Sequence, residues 1–191
     1  EVLASQVAVA VEDARLYEAE REQSWMSTAL LQVAEVARSA ESLEDALTAV
    51  TRLAPMLTGV DCCALLTYEP ATDCFEISAL HGALSHNEHL VIGDVLLPGD
   101  VPALEEMLAT RHPVMGAERG RLAVPVLALP LIAQDQLLGA MLVGQKDGGV
   151  IPRQRRELLA GLANQAALVI DAVWANVAQQ EESWVTAALL Q

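Results

Sequence analysis

A thirty-residue stretch occurs at both ends of the chain and constrains what can lie between. LASQVAVAVEDARLYEAEREQSWMSTALLQ, residues 3–32, aligns without gaps on LANQAALVIDAVWANVAQQEESWVTAALLQ, residues 162–191. Twelve of the thirty paired positions are identical, and Ser24-Trp25 falls in register with Ser183-Trp184. Chance likeness between two amphipathic helices explains that register poorly. A unit of about 160 residues recurring in tandem explains it directly. The chain then opens in the tail of one unit and closes in the head of the next. The missing initial Met fits a piece of a longer protein.

Both copies lack Gly and Pro and are rich in helix formers. The first helical pattern runs over residues 2–38, about ten turns or ~55 Å. A helix of that length needs a partner to cover its apolar side. A 3.5-residue spacing threads Val2, Val9, Leu16, Ala19, Met26, Leu30, Val33 and Ala37. The matching stripe in the second copy contains Leu168, Ala175, Val185 and Leu189. Glu12 and Gln23 interrupt the first stripe, and Asp171 and Glu182 interrupt the second at the same points. Such residues either fix register inside a seam or mark its wetter edge. The expectation is a homodimer whose leading and trailing helices form a parallel bundle. Residues 1–28 are read as a connector, 29–173 as a domain, and 174–191 as a connector to a following unit.

Composition narrows the partners. The net charge is -15, so phosphate-rich nucleic acid and anionic membrane surfaces are poor matches. Aromatic residues make up 3%, which leaves few platforms for stacked bases. The longest apolar run, residues 122–133, contains Pro125 and Pro130 and is too short to span a bilayer. No signal peptide is legible. Cys62, Cys63 and Cys74 form no metal or disulfide framework, which fits a reducing cytoplasmic compartment.

The middle of the chain reads as alternating elements. Ser42-x-x-Asp45 can open a helix through a capping box, with Leu43, Ala46, Leu47, Val50 and Leu53 at helical spacing. Pro55 and Gly59 are expected to close it. CCALLTYE and CFEISALH, joined by Pro70-Ala71-Thr72-Asp73, read as a hairpin. Residues 82–98 read as a loop around a short strand near Leu90 and Val91. PGDVPALEEMLAT reads as a short helix capped by Asp100, with Pro102 in its first turn. VLALPLIA and QLLGAMLVGQK read as a second hairpin around Gln134-Asp135. A last helix starts near Arg153. Hairpins flanked by helices predict an antiparallel α+β sheet.

In that order, four strings resemble the GAF domain family over residues 29–173. They are LLQVAEVARSAESLEDALTAV, PGDVPALEEMLATRHPVM, ALPLIAQDQLLGAMLVGQK and RELLAGLANQAALVIDAV. The resemblance implies an antiparallel sheet of about six strands, with helices on one face. The opposite face would carry a small-molecule pocket walled by residues 80–115. It also implies a non-catalytic sensor or regulatory module that relays state to adjacent GAF or output domains.

His81, His86, His89 and His112 do not follow a cysteine, as a bilin-binding pattern requires, and Asp73-Cys74-Phe75 is one position out of step with another. Lys146 survives from the cyclic-nucleotide pattern of the family, but Ile151 and Arg155 or Arg156 stand where Phe and Asp would be. His86 and His89 have metal-compatible spacing but lie in a predicted loop without a third ligand. No nucleophile elbow, zinc-protease or phosphate-loop motif is present, so no catalytic residue, metal or cofactor is assigned. Arg153, Arg155 and Arg156 could meet an acidic ligand or remain a solvated face. The alternative to the regulatory module is an autonomous domain sensing a small molecule, haem or thiol redox state.

Overall fold

The computed structural model describes residues 27, 28, 31, 35, 42–84, 90–116, 122, 124–145 and 149–189, with side chains as far as Ala175. Ser27, Thr28, Leu31 and Glu35 are helical. Helix α1 (Leu43–Thr58) starts at Ser42, whose Oγ accepts from the Asp45 N–H at 3.1 Å. The capping box forms only in part: the Ser42 hydroxyl donates to the Asp45 carboxylate at 2.7 Å. Pro55 does not close the helix but sits in its last turn. Gly59 ends it in the left-handed region at φ 69, donating its N–H to Pro55 O at 2.8 Å.

Strands β1 (Cys62–Glu69) and β2 (Cys74–His81) form the first hairpin, with the expected bounds. The short strand lies at Val95–Leu96 (β3), not at Leu90 and Val91, and pairs with Phe75 and Glu76 of β2. A 3-10 turn, Pro98–Asp100, then leads to α2 (Pro102–Thr110). Asp100 is not the cap of α2. Its carboxylate accepts from the Leu97 N–H at 3.1 Å inside the 3-10 turn, and Val101 takes the cap position without a side-chain bond. Strand β4 (Val114–Gly116) had no clear signal in three residues. The second hairpin is β5 (Val126–Ala133) and β6 (Gln136–Gly144), and helix α3 covers Arg153–Leu189.

The strands make one six-stranded antiparallel sheet in the order β3-β2-β1-β6-β5-β4. Its central strands are buried on both faces, so they read as unbroken apolar runs, whereas β2 alternates. Leu65, Met141, Val143, Leu127 and Leu129 face α1 and α3. Leu66, Ala140, Leu142 and Ala128 face α2 and the loops. Gly139 is required where β6 meets β1, because a Cβ there would collide with the Leu66 carbonyl oxygen. Two apolar clusters therefore sandwich the sheet, one closed by helices and one by α2 and connecting segments.

Candidate functional site

The α2 face was the expected pocket. Phe75, Leu84, Leu96, Leu104, Met107 and Val124 there are each at most 1% exposed and pack as one cluster. At its edge Tyr68 packs on Phe75 with ring centroids 4.8 Å apart. The Tyr68 hydroxyl donates to Asp73 at 2.6 Å, and that bond is the main reason its pKa is raised. His86 and His89 lie outside the described residues. Described side chains from the segment expected to line a cavity fill this face with apolar groups.

A cleft instead opens on the helix face, between the β4–β5 edge and the start of α3. Its volume is about 430 Å³, and Pro113, Met115, Leu127, Leu129, Arg153, Arg156, Glu157 and Ala160 line it. Leu127 and Leu129 are buried and form the floor, while Met115 is exposed on the edge strand. At the rim the Arg153 Nε donates to Glu157 at 2.8 Å. Arg155 turns toward the far end of α1: a Cβ on Gly59 would lie 3.5 Å from its guanidinium. The three arginines are thus divided between different surroundings. The cleft was not legible in the sequence, because it needs β4 and α3 to meet; the arginine cluster was its one trace.

The outer stripe of α3 is placed as follows. Leu159, Leu162, Ala163, Ala166, Ala167 and Ile170 face the sheet. Leu168 points away and is 55% exposed, and Ala175 is exposed. Asp171 is half-buried and accepts from Gln134 Nε2 at 3.0 Å. This bond ties the β5–β6 turn to the helix one residue beyond Ile170. Glu182, Val185 and Leu189 belong to α3, but their side chains lie outside the described part. Val9, Glu12, Leu16, Ala19, Gln23, Met26, Leu30 and Val33 lie outside the described residues altogether. Over residues 153–175, α3 is long and apolar enough to cross a membrane, yet this stretch is the helix whose inner side closes the core.

Cys62 and Cys63 are fully buried, and Cys74 is half-buried with its Sγ 3.0 Å from Thr72 Oγ1. Burial, with Cys62 beside it, pushes the Cys63 thiol far up. His81 and His112 are exposed, and the His112 ring lies against Thr110 O. Among the described residues no group of three His, Cys, Asp or Glu could hold a metal.

A family model described as GAF domain matches residues 42–170. No curated protein matches in sequence at a significant level. Similar solved structures include the GAF domain of an Acinetobacter phosphoenolpyruvate-protein phosphotransferase. Its TM-score is 0.69 at 17% identity, covering 79% of this chain and 96% of that one. The second GAF domain of DevS from Mycobacterium smegmatis gives 0.56 at 22% identity, covering 70% and 96%. The phycocyanobilin-bound GAF domain of a cyanobacterial phytochrome gives 0.60 at 17% identity, covering 76% and 93%. At these identities the likeness is one of fold.

Proposed function

The chain belongs to the GAF domain family, and from that premise we propose that it is a non-catalytic sensor or regulatory module that works as a homodimer. In this reading the helices of two copies lie side by side and carry the state of each domain to a neighbouring unit. The observation that carries it is the length of α3. The last side chain of α3 buried against the sheet is Ile170, among those described to Ala175, yet the helix continues to Leu189, about five turns further. A single helix projecting so far is marginal alone and is stabilised by packing against another.

Several observations support details of this reading. Solved neighbours with the same fold come from a phosphotransferase, from DevS and from a phytochrome. Leu168 offers an apolar side chain on the face opposite the core. Asp171 links the sheet to the projecting part through Gln134. A change in the sheet can thereby bias the direction of the helix, provided the two states differ in free energy. We assign residues 1–28 and 174–191 to connectors and 29–173 to the domain, in a cytoplasmic protein without nucleic-acid or membrane contact. Sensing by thiol redox is less well supported, because an un-ionised, buried Cys63 is a poor nucleophile.

The test is the mass in solution. The chain at micromolar concentration should scatter light as a particle of twice 20.4 kDa. Leu168→Glu should shift it toward one chain mass without loss of secondary structure, because the side chain points away from the core. A wild-type chain that stays at one mass up to high concentration contradicts the proposal.

A further inference from the structure

The cleft on the helix face belongs neither to the pocket expected on the α2 side nor to the outer stripe of α3. Its floor is apolar, from Leu127, Leu129 and Ala160, with Met115 and Pro113 on the β4 side. Its mouth carries Arg153, Arg156 and Glu157, two cations to one carboxylate. The whole chain carries 11 Lys and Arg against 26 Asp and Glu, yet Arg153, Arg155 and Arg156 stand within four positions. The first turn of α3 holds no acidic residue. Positive side chains in a helix's first turn oppose its dipole, so this placement is unfavourable unless something offsets it.

Two of the three arginines have an offset within the fold. Arg153 is paired with Glu157, and Arg155 lies by the C-terminal cap of α1, where the dipole favours a cation. Among the described residues no carboxylate pairs with Arg156, an exposed side chain that lines the cleft. The volume of about 430 Å³ lies in the range of small-ligand sites.

We propose that this cleft binds a small amphipathic monoanion, with its apolar tail on Leu127, Leu129 and Met115 and its anionic head on Arg156. A carboxylate is the natural head group, because it matches a guanidinium in a bidentate pair. Neither dimer formation nor a relay through α3 is needed for this binding, so it can succeed or fail independently of the regulatory reading.

Methionine-methyl NMR on the full chain tests it, because the methionines report different places. Met115 lines the cleft, Met107 and Met141 are buried in the two clusters, and Met56 is exposed. Decanoate should shift Met115 saturably and leave Met107 in place. Decanol, with the same tail and no charge, should bind roughly fivefold more weakly, and Arg156→Gln should weaken decanoate by a similar factor. Unchanged Met107 and Met141 signals show that the variant is folded. Ala160→Leu, which narrows the cleft, should also weaken binding. The proposal is overturned by a silent Met115, whether the cleft is unoccupied or already covered by another part of the chain or a second copy. It is equally overturned if decanol matches decanoate, or if Met107 responds in place of Met115.

Discussion

Cys62 and Cys63 are neighbours on β1 but lie in different interiors, Cys62 against the α2 face and Cys63 against the helix face. Strand alternation alone produces this, so the pair is not a redox couple in waiting. For Cys63 the consequence is a pH dependence. Its folded pKa is raised above that of a free thiol, chiefly by burial and secondly by Cys62. The folded chain keeps the proton at a pH where the unfolded chain releases it. The associated stability is therefore complete below about pH 8.5 and declines as pH rises above it, approaching ~1.4 kcal/mol per pH unit. Urea unfolding of wild type and Cys63→Ala from pH 7 to 10 should show a steeper decline in wild type. Parallel profiles would mean that the thiol ionises in the folded state. The burial of both residues was legible in the apolar run after Gly59. Their division between two interiors is visible only in the fold, where alternate residues of β1 face opposite sides of the sheet.

The elements differed in how clearly they could be read. Both long hairpins were legible because β-rich runs were bounded by turn residues, and their strands are long enough for a pattern to show. The two shortest strands, β3 and β4, hold two and three residues, below the length at which alternation can be seen. Asp100 misled because a carboxylate before a helix can serve either the helix or the preceding turn, and here the turn takes it. The β5–β6 turn shows a local cost: Gln134 and Asp135 both have positive φ, 47° and 63°, in a two-residue hairpin connection. Such turns favour Asn-Gly, and a non-Gly residue in this region carries a penalty of order 1 kcal/mol. Asp135→Gly should raise unfolding stability by roughly 0.5–1 kcal/mol in urea melts while keeping the Gln134–Asp171 bond. A destabilised variant would show that the Asp135 side chain contributes more than its backbone costs.

At the scale of the molecule, a sheet packed on both faces is followed by a helix that continues to Leu189. The antiparallel α+β fold was legible from the order of the elements and the four family-like strings. The helix-face cleft was not, because its walls come from β4 and α3, which are far apart in sequence and meet only in the fold. The repeat at residues 3–32 and 162–191 pointed to long helices, and α3 extends unbroken to Leu189. The central claim is that two copies place their trailing helices side by side and parallel. Electron–electron double resonance on a chain carrying Cys74→Ser and a nitroxide at Ala175→Cys tests it most directly, since Ala175 is exposed and Cys62 and Cys63 are buried. Helices packed at ~8–10 Å between axes should bring the two labels within roughly 30 Å, with one dominant distance. Dipolar modulation no greater than that of labelled chain diluted with an excess of unlabelled chain would contradict the account.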